Sequence, residues 1–133
     1  MARKPTQGPT ERELDILQVL WQHGRSNVRE VHEQLNESEQ LSFTSVQTML
    51  QIMFDKGLVD REMHGRSYIY SPLVSQDETQ GTLVSALIDR AFGGSARALV
   101  SRALDISRSS PEELKEIMAM IQASQQQTEN NDD

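Results

Sequence analysis

The sequence predicts a mainly α-helical protein with one small β-hairpin, and three observations carry that prediction. Helix-start signals recur along the chain, each followed by an apolar stripe at helical spacing. One stretch, about 58–72, reads instead as two short strands meeting at a Gly65-Arg66 tip. Aromatic residues are few, three Phe, two Tyr and one Trp beside six Met, which suits packed helices better than broad aromatic platforms.

Thr10-Glu11-Arg12-Glu13 has the hydroxyl N-cap and the Glu three residues on that make a capping box. It opens a helix over about 10–23, with Leu14, Ile16, Leu17, Leu20 and Trp21 as its apolar positions and Gly24 at its end. Asn27 to Glu30 is a looser form of the same signal and starts a helix over about 27–36 carrying Val28, Val31 and Leu35. Thr44 to Gln47 is a third form, for a helix over about 43–56 that Gly57 stops. The hairpin follows. Ser75-Gln76-Asp77-Glu78 is again a capping box, and Ser110-Pro111-Glu112-Glu113 adds Pro at the first helical position. These predict helices over about 75–93, 95–104 and 110–123. The last stretch, SQQQTENNDD, is polar and without periodicity and is expected to be disordered.

A helix followed directly by a basic-tipped hairpin suits double-stranded DNA, with the helix in the major groove and the hairpin along the backbone. The expected fold is therefore a winged helix-turn-helix domain over 8–73, followed by a three-helix dimerisation region over 74–123 and a tail over 124–133. The helix over about 43–56 is two-faced. Phe43, Val46, Leu50, Met53 and Phe54 fall in one arc and are expected to pack inward. Thr44, Gln47, Thr48, Gln51 and Asp55 share the opposite arc, with Ser45 and Ile52 at its edges. Gln pairs bidentately with adenine, and Ser and Thr bond to base edges, so Thr44, Ser45, Gln47, Thr48 and Gln51 are the candidate base readers. Phosphate contacts position a protein without specifying sequence, and Lys56, Arg61, Arg66, Arg3 and Lys4 are the candidates for them. Tyr68 and Tyr70 share one strand face and are expected to cover the helical core.

The second half carries apolar stripes that three short helices cannot bury alone, since small cores are marginal. A second copy of the chain is the expected cover, because a reader of pseudo-palindromic DNA needs a two-fold axis. The residues expected at that interface are Leu83, Leu87, Ile88, Ala91, Leu99, Val100, Leu104, Leu114, Ile117, Met118 and Ile121. One compact monomer is the alternative.

Charge tempers the DNA reading. The chain carries a net −7, although residues 1–72 hold eight Lys/Arg against ten Asp/Glu and residues 73–133 hold five against ten, so the acidity sits mainly in the second half. The absence of Cys excludes disulfides, thiol catalysis and thiolate metal sites. No apolar run approaches the roughly 18 residues that span a bilayer, and the basic N-terminus lacks an apolar signal core, so no membrane insertion and a cytoplasmic location are expected. His23, His32 and His64 are scattered without ligand spacing and read as structural, so neither a metal nor another cofactor is expected. No nucleophile elbow, P-loop or dinucleotide motif occurs, and the protein is not expected to be an enzyme.

Several stretches together resemble the penicillinase/methicillin-resistance repressor family of bacterial winged-helix regulators. They are Thr10-Glu11-x-Glu13-Leu14-x-Ile16-Leu17, Leu20-Trp21, Val28-Arg29-Glu30-Val31, Val46-Gln47-Thr48-Met49-Leu50, Lys56-Gly57 and Gly65-Arg66-x-x-x-Tyr70-x-Pro72. Phe92-Gly93-Gly94-Ser95 followed by Leu99-Val100 extends the likeness, which covers about residues 8–122. The resemblance implies a homodimeric repressor with one winged helix on each operator half-site. It also brings three departures. Gln51-Ile52 stands where the family usually has a basic residue, and Arg102-Ala103 stands where β-lactam-induced members are cut by a regulatory protease at an Asn-Phe bond. The C-terminal cysteines of copper-responsive relatives are missing. The competing reading from another class is a winged-helix protein-interaction module, for which an acidic balance and an uncharged helix face are natural.

Overall fold

A computed structural model of the chain describes residues 8–36 and 40–131. The elements in order are α1 (Glu11–His23), β1 (Ser26–Asn27), α2 (Val28–Leu35), α3 (Phe43–Lys56), β2 (Val59–His64), β3 (Ser67–Pro72), α4 (Gln76–Ala91), α5 (Ala96–Ile106) and α6 (Pro111–Asn131).

Local chemistry sets the helix ends. Thr10 and Glu13 close a reciprocal capping box, with the Glu13 N–H donating to Thr10 Oγ1 at 3.2 Å and the Thr10 N–H to Glu13 Oε1 at 2.9 Å. Asn27 and Glu30 form a complete box as well, at 2.8 and 2.9 Å, firmer than the sequence signal suggests. The N-cap of α3 is Ser42, whose Oγ accepts from the Ser45 N–H at 3.1 Å; Thr44, the expected start signal, lies inside the first turn. Gly57 ends α3 in the left-handed region at φ 82°, and the Leu58 N–H reaches back to the Met53 carbonyl at 2.9 Å. That is the Schellman arrangement, which a side chain would strain.

The sheet has one strand more than expected. Its order is β1-β3-β2, all antiparallel, with Ser26 opposite Tyr70 and Arg61 also opposite Tyr70. The two residues of β1 pair with a strand more than 40 positions away, a partner that no local pattern announces. At the hairpin tip Gly65 has φ 63° while Arg66 keeps a negative φ, the pattern of a type II′ turn.

The chain divides into two compact units, Met1–Leu87 and Ile88–Asp133. The division falls inside α4. In the first unit, Ile16, Leu17, Leu20, Val31, Val46, Leu50, Met53 and Val59 are fully buried, each contributing about 1.5–3 kcal/mol relative to exposure. Tyr70 closes this core from the sheet side and Tyr68 packs against it. Trp21 donates from Nε1 to the Val74 carbonyl at 3.1 Å, tying the end of α1 to the segment before α4. Phe43 departs from expectation. It is 44% exposed and meets the His32 ring edge-on, because it is the first residue of α3 and lies beyond the rim of the core.

The second unit comprises the end of α4, α5 and α6, and neither α5 nor α6 has a buried residue. Val100, Leu104, Leu114, Met118 and Ile121 are all exposed. An apolar groove of about 560 Å³ is lined by Val100, Ile117, Met120, Ile121 and Thr128. α6 also continues to Asn131, where a disordered tail is expected from 124 onward. No Gly or Pro interrupts the segment after Pro111, and its Gln, Ala and Glu residues propagate a helix well.

Candidate nucleic-acid interface

The outer face of α3 is polar and open. Thr44, Ser45, Gln47, Thr48 and Gln51 are all exposed, as expected from the arc they share. The Ser45 hydroxyl accepts from Ser42 Oγ at 2.8 Å, which leaves its own proton free to be donated. Ile52 adds an apolar edge, 44% exposed. β2 and β3 follow α3 directly, and Arg66 stands exposed at their tip with no hydrogen bond or ion pair among the described residues.

The remaining cations of this face are placed differently from one another. Lys56 is held from below: its Nζ donates to both oxygens of Glu13 at 2.8 and 3.0 Å. For Lys56, a candidate phosphate contact, α1 supplies a carboxylate that is almost fully buried. Burial alone would raise the Glu13 carboxyl pKa. The Lys56 hydrogen bond, the Thr10 N–H and the Lys56 charge together outweigh it and hold the group below its ordinary value.

Arg61 is on the core-facing side of β2. Its guanidinium lies between two rings, 4.0 Å from the Phe54 centroid and 4.3 Å from that of Tyr68, and donates to Gln51 Oε1 at 2.6 Å. Gln51 in turn donates from Nε2 to Asp55 at 3.3 Å. Both ends of the Gln51 amide are therefore occupied within the protein, unlike the other four candidate readers.

Arg25 is not among the candidates that the sequence offers. From the turn between α1 and β1 it reaches the outer face of the wing, with Nη2 3.3 Å from Glu62 Oε2 and 3.3 Å from His64 Nε2. It offsets the charge of Glu62 on that face. No spacing rule links positions 37 apart, so the signal was not available locally. His32 is part of the α2–α3 connection, 2.7 Å from the Leu41 carbonyl and 2.8 Å from the Asn36 amide, in agreement with a structural role. Arg3 and Lys4 lie outside the described residues. The candidate interface residues Leu87, Val100, Leu104, Leu114, Met118 and Ile121 are exposed, and Leu83, Ile88, Leu99 and Ile117 are half-buried; Ala91 is exposed. Arg102 and Ala103 lie within α5, both exposed.

Comparison with known proteins fits this geometry. A family model described as Penicillinase repressor matches residues 9–123. The Penicillinase repressor of Bacillus licheniformis is 25% identical over 113 residues, covering 85% of this chain and 88% of that protein. The Transcriptional regulator BlaI of Mycobacterium tuberculosis is 34% identical over 100 residues, covering 74% of this chain and 71% of its own length. Among solved structures, the DNA binding domain of the repressor BlaI is similar, with TM-score 0.50 and 28% identity over 57% of this chain and 93% of that one. On these grounds and on its winged-helix architecture, the chain belongs to the penicillinase repressor family.

Proposed function

We propose that the protein is a homodimeric, sequence-specific transcriptional repressor that binds a pseudo-palindromic operator. α3 enters the major groove and the β2–β3 wing follows the phosphate backbone. The observation that carries this reading is the open face of Thr44, Ser45, Gln47 and Thr48 beside a hairpin whose tip is the unpaired Arg66. Small hydroxyl and amide groups of this kind discriminate base edges, while a cation at the tip positions without discriminating.

The second unit supports the dimer. A region whose α5 and α6 fully bury no residue leaves its apolar stripes to be covered, and a second copy would present the same stripes in a two-fold arrangement. Residues 8–73 then act as the DNA-binding domain and 74–123 as the dimerisation region, in a cytoplasmic protein without catalytic chemistry. Two half-sites also compensate for a recognition face that is polar rather than basic.

Binding of the purified protein to DNA upstream of its own gene, measured over a salt series, tests the proposal. The expected result is specific binding whose log affinity falls linearly with log salt. Binding that is absent or insensitive to salt with every upstream fragment would favour the protein-interaction module, the reading that the acidic balance supports.

A further inference from the structure

The reading face of α3 has no free cation of its own. Its sequence, FTSVQTMLQIMFDK, contains one basic residue, Lys56, and Glu13 holds it with two hydrogen bonds. Arg61 comes to the same face from the neighbouring strand and is fixed there on three sides. Phe54 from α3 and Tyr68 from β3 lie 4.0 and 4.3 Å from its guanidinium carbon, and Gln51 accepts one N–H at 2.6 Å. A guanidinium has five N–H donors in a plane, so this bond leaves others to meet phosphate.

The orientation of the Gln51 amide follows from its two partners. Asp55 only accepts, so the NH2 group turns to it; Arg61 only donates, so the carbonyl oxygen turns to the guanidinium. A bidentate contact with adenine needs the donor and the acceptor of the same amide together. In Gln51 each is already bonded to a charged group, and the shorter bond is the one to Arg61.

We propose that Arg61 supplies the cationic DNA contact of the α3 face and that Gln51 is the positioning residue that aims it, not a reader of bases. Base readout then falls to Thr44, Ser45, Gln47 and Thr48. The stack and the hydrogen bond hold the guanidinium before DNA arrives, so little side-chain entropy is lost on binding. The proposal rests on the DNA-binding reading above.

The test uses the full chain and a pool of double-stranded oligonucleotides with a randomised centre, whose most enriched duplex is carried into affinity measurements over a salt series. Gln51→Ala is expected to enrich the same sequences as the wild type and to bind about three- to tenfold more weakly. Arg61→Met is expected to weaken binding in the same sequence-independent way and to lower the salt slope by about 0.9 per protomer. The double variant should bind no more weakly than Arg61→Met alone, since Gln51 then has nothing to aim. Arg61→Lys guards against a folding defect. It keeps a point charge and hence the slope, but lacks the planar fork, so adding Gln51→Ala should cost little more. A Gln51→Ala protein that enriches a different sequence, or losses that add in the double variant, overturns the proposal and leaves the DNA-binding reading intact. Wild-type protein that enriches no sequence and binds without salt dependence overturns both.

Discussion

Lys56, at the last turn of α3, donates to both oxygens of Glu13, at the first turn of α1, across 43 positions of sequence. The same carboxylate also accepts the Thr10 N–H and so closes the α1 capping box. One side chain thus caps a helix and anchors the end of α3 to it. That dual use explains why a buried Glu is tolerated here: each oxygen has a donor, and the cation is only partly desolvated.

This pair sets a pH dependence with a definite sign. The Glu13 carboxyl is held below its ordinary value in the folded protein, so its contribution is complete above the unfolded value of about 4.3 and is lost as pH falls through the lower folded value. Urea unfolding between about pH 6 and pH 3 should show this loss in the wild type. Glu13→Gln should be less stable near neutrality by about 1–3 kcal/mol and lack this component of the acid dependence. Equal slopes for the two proteins over that range would remove the pair as a stability determinant.

The core and the rim of α3 should respond differently to truncation. Leu50 is fully buried, and Leu50→Ala is expected to cost about 2–5 kcal/mol. Ile52, two residues on and 44% exposed, should lose no more than about 0.5 kcal/mol on the same change. Denaturant midpoints measured under identical conditions decide it, and similar losses at the two sites would contradict the burial pattern.

Wing and helix contacts should separate by their effect on sequence preference. Arg66→Ala is expected to weaken binding to all duplexes alike and to reduce the salt slope by about one per protomer. Gln47→Ala and Thr48→Ala should instead alter the preferred site, at about 1–3 kcal/mol for the affected base. An Arg66→Ala protein with unchanged affinity and slope would take the wing off the backbone.

Leu87→Asp tests the dimer. The residue is 48% exposed in the single chain, so the change should leave the fold intact while placing a charge in the proposed interface. Sedimentation equilibrium is expected to show monomer at concentrations where the wild type is dimeric. A variant that remains dimeric would move the interface away from this stretch of α4.

Much of the architecture was legible in the sequence because its signals are local. Thr10, Ser75 and Ser110 cap helices three residues ahead of an acidic partner, Gly57 stops α3, and Gly65-Arg66 turns the hairpin. The open arc of Thr44, Gln47 and Thr48 follows from helical periodicity alone, and so do the unpartnered stripes of α5 and α6. Which polar groups remain free was decided only by the tertiary structure. A side chain meets phosphate or base with the donors and acceptors that nearer groups leave it, and those nearer groups come from distant positions: Glu13 for Lys56, Arg61 for Gln51, Glu62 for Arg25. The pairing of β1 with β3 is of the same kind. By itself the sequence determined a winged helix with a polar reading face. Folding brought remote charges within hydrogen-bond distance, and so selected which members of that face are left to meet DNA.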